Sequence, residues 1–325
     1  MDAQNVTPMM QQYLAAKEAH PGELLFFRLG DFYEMFFDDA KVAAKELGLT
    51  LTSRSGDLEK NPMCGVPYHA ADSYIARLVA KGFKVAIAEQ IGDPKAKGLT
   101  HREVVKVVTP GTALSDEALR EASNIYIVLL HEPAPGQFVL AGADITTGEA
   151  FYAVYAGEHA AQQIMDELYR RMAAELLLTE DFSLADEVRA FLTHRLPHCA
   201  VSVVGRDADA ELPAQHFPAE EIPRDAGARA ALAALLAYLH ETVMADLSQI
   251  NRLSFLDAAE TMQLDIDTLR NLEITRSLRD GGKKNTLFDV LDFTRTPMGT
   301  RLLKSWLEHP LLTPHRIDAR LDAVA

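Results

Sequence analysis

The stretch Gly30-Asp31-Phe32-Tyr33-Glu34-Met35-Phe36-Phe37 packs four aromatics and two acids together, and its chemistry depends on which rings reach solvent. An exposed phenyl ring needs a partner surface, and Phe is one of the apolar wedges that prise apart a base step from the minor groove of DNA. A purely structural reading competes with this. Asp31 is a preferred helix N-cap, and Glu34 could reach back to complete a capping box, so the pattern predicts a helix over 32–46. On that helix Tyr33, Phe36, Phe37, Ala43, Ala44 and Leu47 share a core-facing stripe, while Glu34 and Met35 face away. Phe32 falls at the stripe's edge, so periodicity leaves open whether it is a rim-of-core residue or an outward wedge.

Two further groups of residues invite chemistry. Asp144, in ADITTG, ends a strand where a metal-dependent nuclease would hold cations, with Glu149, Glu180 or Asp181 as the carboxylates that would have to converge on it. The spacing does not force that convergence, and an acid capping a hairpin is the preferred reading, with a ribonuclease-H-like nuclease acting through Asp144 as the alternative. Between Lys81 and Lys106 the cations Lys81, Lys84, Lys95, Lys97, Arg102 and Lys106 outnumber Glu89, Asp93 and Glu103, partly on the Gly- and Pro-containing loop IGDPKAKGLTHRE. A solvated loop is the plain account of it, and phosphate contact the functional one.

Other site chemistries are poorly served. Cys64 and Cys199 lie 135 positions apart, which fits buried thiols in a reducing compartment. Cys64 with His69 makes a weak metal site, since one loop would supply two ligands and no second pair exists. No Gly-x-x-x-x-Gly-Lys-Ser/Thr phosphate loop occurs, for GDPKAKGLT lacks its ending. No metal site is expected.

These residues must be positioned by three blocks. Residues 1–115 read as mixed α/β: a helix (8–19), the strand ELLFFRLG, the helix over 32–46, a short strand LTLTSR, a loop over 55–68, the helix AADSYIARLVAKG, and the strands FKVAIAEQ and REVVKVVT. Residues 116–250 open with three antiparallel strands, NIYIVLL, QFVLAGADIT and EAFYAVY, joined by a Pro/Gly turn and a Thr147-Gly148 turn. An α-β-α-β-α succession follows, and the whole order is that of a ribonuclease-H-like domain. Residues 251–325 begin with a strand-like LSFLDA and continue as helices, the start of an all-α core. The last helix has barely begun at Ala325, so the chain is expected to be part of something longer. The fold class is thus α/β and multi-domain.

With 325 residues, 48% hydrophobic and 24% charged, the chain can bury sizeable cores. The net charge of −15 is unevenly placed: 13 Lys and Arg against 14 Asp and Glu in 1–115, and 19 against 33 beyond. The first block is near neutral, so a polyanion would meet little net repulsion there. No apolar run is long enough to span a bilayer and the N-terminus lacks a signal peptide's charged and apolar regions. A cytoplasmic location is expected, with no membrane partner.

GDFYE (30–34), PMCGVPYHA (62–70), AIAEQIGDP (86–94), VTPGT (108–112), RNLEITRSL (270–278) and TLFDVLDFTRTPMGTRLL (286–303) resemble, in this order, the MutS family of bacterial DNA mismatch-repair proteins. Met35 stands where members often carry Leu. The resemblance implies a mismatch-binding domain over 1–115, a ribonuclease-H-like connector over 116–250 and the start of the helical core and lever over 251–325. It further implies that Phe32 stacks on a mispaired or unpaired base from the minor groove, with Glu34 hydrogen-bonding that base. Arg54, Lys95 and Lys97 are the proposed contacts to the DNA backbone. The partners implied are duplex DNA with mismatches or small loops, the protein MutL through the connector, and a second copy through parts of the family outside these residues. Full-length members are ATPases using ATP and Mg2+, but neither that activity nor those cofactors are expected of these 325 residues.

Overall fold

A computed structural model describes residues 7–53, 59, 61–91, 100–113, 124–244, 246–257 and 259–324. They form two compact units, Met1–Ala113 with Tyr238–Asp246, and Leu114–Ala237 with Leu247–Ala325.

The first unit begins with α1 (Pro8–Ala19), where Thr7 caps by accepting from the Met10 N–H and a Pro stands in the first turn. There follow β1 (Leu24–Leu29), β2 (Phe32–Phe36), α2 (Phe37–Leu47), β3 (Met63–Pro67), α3 (Ala71–Val79), β4 (Val85–Ile91) and β5 (His101–Val108). The strands make one sheet in the order β3-β2-β1-β4-β5. Strand β1 runs antiparallel to β2 and parallel to β4, and β5 returns antiparallel to β4.

The helix expected over 32–46 is corrected here: its first five residues are strand β2, and the helix starts at Phe37. Gly30-Asp31 is a two-residue hairpin loop closed by the Leu29–Phe32 pair, with Gly30 at φ +60°. Gly in the first loop position is what a type II′ turn requires. Asp31 therefore caps no helix, and α2 has no side-chain cap at all. The chain enters it through Phe37 at φ +54°, in the left-handed region that bulky residues seldom occupy. Two neighbouring expectations also change. Among its described residues LTLTSR contributes a single bridge, Thr52 to Met63, and the expected loop over 55–68 contains β3.

The two faces of this sheet bury separate cores. Tyr33, Met35, Cys64 and Val66 point to one, with α2 and α3 residues such as Ala40, Leu47 and Leu78. Leu25, Phe27, Phe36 and Ala88 point to the other, where Tyr13 of α1 packs against them. Met35, expected to face away from the core, is fully buried, because a strand's alternation, and not a helix's stripe, decides its direction.

The second unit holds β6 (Ile127–Ala134), β7 (Gln137–Asp144), β8 (Glu149–Ala156), α4 (Ala160–Arg171), β9 (Glu175–Thr179), α5 (Ala185–Arg195), β10 (Ala200–Val204), α6 (Leu212–His216), α7 (Ala226–Val243) as far as Ala237, β11 (Arg252–Phe255), α8 (Ile266–Asn271), α9 (Leu287–Leu291), α10 (Pro297–Glu308) and α11 (Pro314–Val324). Its sheet runs β10-β9-β6-β7-β8-β11. Strands β6, β7 and β8 form an antiparallel meander, β9 and β10 run parallel to β6, and β11 runs parallel to β8. The start of LSFLDA, read as the opening of the third block, thus belongs to an edge strand of this sheet. The helix expected around 265–278 stops at Asn271, just before Glu273 at φ +45°.

A buried ionic cluster fastens α4 to the chain beyond it. Glu167 pairs with Arg170 and, at 2.7 Å, with Arg171, while Arg170 donates to the Leu264 carbonyl at 2.9 Å and His309 lies 3.7 Å from Glu167. Burial works to raise the Glu167 carboxyl, but Arg171, His309 and Arg170 outweigh it and hold it well below the usual carboxylate range. Among the described residues no helix is long and apolar enough to cross a membrane.

Candidate functional site

Strand β2 alternates, so Phe32, Glu34 and Phe36 share one face and Tyr33 and Met35 the other. The three residues on the first face meet different surroundings. Phe36 is 5% exposed, its ring set edge-on to Tyr13 at 4.9 Å. Phe32, four residues earlier at the hairpin end, is 46% exposed, and Glu34 between them is half-buried.

What covers Phe36 is α1, and α1 is held in place by Asp39 of α2. Asp39 is 7% exposed, and its carboxylate is engaged on three sides. It accepts from the Leu25 N–H at 3.0 Å, pairs with Lys17 at 2.9 Å, and takes the Tyr13 hydroxyl at 3.5 Å. A buried carboxylate with a cation and two hydrogen-bond donors has its desolvation offset. It ties α1, β1 and α2 together at the Phe36 end of this face.

Strand β3 opens the space beside the two residues. Gly65 is paired with Glu34, and Pro67 with Phe32. A Cβ on Gly65 would lie 3.5 Å from Glu34 Cγ and 3.8 Å from Phe32 Cδ1. The absent side chain therefore leaves the Phe32 and Glu34 side chains the shared surface between them.

Behind this face, on the opposite side of the sheet, Arg28 pairs across β1–β2 with Tyr33. Its guanidinium lies 3.9 Å from the ring centre of Tyr68 and 5.4 Å from that of Tyr33. The Tyr33 hydroxyl donates to Glu89, and burial with that bond pushes the phenol up to about 12. The sequence reading singled out none of Gly65, Arg28 or Tyr68. The signal that could have found them is the Gly-Asp pair between two aromatic-rich runs, which suits a hairpin as well as a helix start.

Of the remaining expected site residues, Arg54, Lys95 and Lys97 lie outside the described residues. Asp144 is fully buried. One of its carboxylate oxygens accepts from Asn124 Nδ2 at 2.8 Å and the Ile125 N–H at 3.3 Å, and the other from the Thr146 N–H and hydroxyl at 2.8 and 2.6 Å. That is the work of an acid fastening a strand end, and both oxygens are engaged in it. Among the described residues no group of three or more His, Cys, Asp or Glu side chains is placed to hold a metal. Cys64 is buried in the first unit's core, where burial pushes its thiol up to about 11, while His69 is exposed. Cys199, expected to be buried, is half-buried.

Residues 7–117 match the family model of MutS domain I, and residues 267–325 that of MutS domain III. Among curated relatives, the proteins named DNA mismatch repair protein MutS from Pelotomaculum thermopropionicum and Desulforamulus reducens are each 44% identical, over 97% and 98% of this chain and 37% and 38% of their own length. That from Symbiobacterium thermophilum is 44% identical over 100% of the chain and 38% of its own length. The chain thus spans less than two-fifths of the length of the relatives it matches.

Proposed function

Because the chain belongs to the MutS family, we propose that it recognises mispaired or unpaired bases in duplex DNA as part of post-replicative mismatch repair. Phe32 acts as the wedge, stacking on the base from the minor groove of kinked DNA, and Glu34 hydrogen-bonds that base. The observation that carries this reading is the 46% exposure of Phe32 on the same strand face as Glu34, next to a glycine that keeps the space between them open. Parting a base step costs on the order of a few kcal/mol, and least where pairing is already lost. A wedge combined with a bend therefore reads deformability, so that a mispair is detected as weakness.

Arg54, Lys95 and Lys97 remain the proposed phosphate contacts, each a sequence-independent and salt-sensitive contribution. The strand order of the second sheet, with a three-stranded meander followed by two strands parallel to β6, supports reading 116–250 as a ribonuclease-H-like connector that docks MutL and does no chemistry. Residues 251–325 are assigned to the start of the helical core. Self-association, ATP and Mg2+ are assigned to none of these residues, and the location proposed is the cytoplasm.

The test is competition binding of duplexes with and without one unpaired base, at matched salt. The parent chain is expected to prefer the duplex with the unpaired base and Phe32→Ala to lose that preference while keeping its melting temperature. Equal binding of both duplexes by the parent, or a collapsed melting temperature in the variant, overturns the reading.

A further inference from the structure

A ring driven into a base stack is pushed back by the stack it separates, so the strand that carries it must not give. The end of a two-stranded hairpin is a poor support by itself, and Phe32 is the first residue after the turn. The turn is nevertheless held at several points. Arg28 Nε donates to the Gly30 carbonyl at 2.5 Å, and the Tyr68 N–H donates to the Asp31 carbonyl at 2.9 Å. Both carbonyls of the two-residue loop are thereby tied, one to β1 and one to the residue after β3.

The Arg28 side chain links those ties. Its guanidinium stacks on Tyr68 at 3.9 Å and comes within 3.8 Å of Glu89 on β4, which also receives the Tyr33 hydroxyl. Its own carbonyl accepts from Arg102 Nε at 2.7 Å. The cross-strand pairing of Arg28 with Tyr33, and of Leu29 with Phe32, puts the Arg28 side chain on the face opposite the wedge. Tyr68, 46% exposed, thus covers a cation, and a planar guanidinium is the cation best suited both to the stack and to the Nε hydrogen bond to the Gly30 carbonyl.

We propose that Arg28 is a positioning residue: stacked on Tyr68 and tied to the Gly30 carbonyl, it holds the hairpin turn rigid behind Phe32, so that mismatch preference depends on a residue that touches no base. The proposal rests on the reading of Phe32 as the wedge. A different role for the same cation is direct contact with a phosphate, and the two differ in what they do to salt dependence.

Competition binding over a salt series, with duplexes carrying or lacking one unpaired base, separates them. Arg28→Ala, Arg28→Lys and Tyr68→Leu are expected to lower the preference for the unpaired base about three- to tenfold with the parent's salt slope, and Tyr68→Phe to retain it. Lysine keeps the charge but lacks the planar stack and the Nε donor, so failure of Arg28→Lys to rescue is part of the expectation. Equal loss on both duplexes, with a salt slope reduced by about one, shows a phosphate contact and overturns the proposal. So does an unchanged preference in Arg28→Ala where Phe32→Ala abolishes it. Should Arg28→Ala not fold, Tyr68→Leu, altering an exposed ring, decides by the same readouts. A Phe32→Ala chain that keeps the full preference removes the wedge reading itself, which is a different failure.

Discussion

Gly65 sits directly across the β2–β3 pair from Glu34, and a methyl group placed on it would stand 3.5 Å from Glu34 Cγ, 3.8 Å from Phe32 Cδ1 and 3.2 Å from the Tyr33 carbonyl oxygen. The first two distances are ordinary contact, whereas the third is tight against backbone. Gly65→Ala is therefore expected to cost about 1 kcal/mol or less in stability and to shift both side chains slightly. Gly65→Val, with two further methyls, is expected to lose most of the preference for an unpaired base while the fold survives. Thermal melting with the two-duplex competition checks this, and a valine variant that discriminates like the parent would show that the space beside Glu34 is not used.

Glu34→Gln removes a negative charge from a surface proposed to meet a polyanion and keeps the side chain's length. Affinity for fully paired duplex is expected to hold or rise, because like-charge repulsion is relieved, while the ratio between mismatched and paired duplex falls. Loss of affinity by the same factor on both duplexes would count against a base-directed role.

Asp144→Asn exchanges an acceptor for a donor at a position where four donors converge. Destabilisation of about 1–3 kcal/mol is expected from the unsatisfied groups, measured by urea denaturation. With Mg2+ or Mn2+, neither the parent nor the variant is expected to cut mismatched or branched DNA. Cleavage by the parent that disappears in the variant would instead make Asp144 a nuclease residue.

Glu167→Gln leaves Arg170 and Arg171 buried without their shared carboxylate. Removing one member of a buried ionic cluster typically costs about 3–5 kcal/mol, and a loss of that size is expected in the second unit's unfolding. A cost near zero would mean that the cluster is solvated in solution.

His131 is buried with Nδ1 3.3 Å from the Thr179 hydroxyl, and burial, reinforced by Arg206, holds its imidazole below the ordinary histidine value. The folded state then binds fewer protons than the unfolded one. The associated stability is fully present above the unfolded value of about 6.5 and is lost as pH falls through and below it. The melting temperature is expected to drop between about pH 7 and 5, and His131→Gln is expected to show a shallower drop. Identical slopes in parent and variant would remove His131 from the account.

Much of this molecule was legible from local chemistry. Helix α1 begins and ends where the sequence predicts it, because Thr7 and Pro8 open it and Pro21-Gly22 follow its last turn. The meander β6–β8 was likewise readable, since apolar runs bounded by the Pro/Gly and Thr-Gly turns act over a few residues. The motifs that mark the family, GDFYE among them, are properties of the sequence alone, as is the concentration of acid beyond residue 115.

Tertiary structure decided the rest. Whether Phe32 to Phe36 is helix or strand depends on partners 7 and 31 positions from Glu34, at Phe27 and Gly65, and the second lies outside any local window. Phe32 and Phe36 are the same residue on the same face of one strand, yet one is 46% exposed and the other 5%. Phe36 packs against Tyr13 of α1, which is anchored through Lys17 and Asp39, whereas Phe32 stands at the hairpin turn. Burial is set by what packs against a side chain, so no reading of the five residues by themselves could have told the core ring from the exposed one.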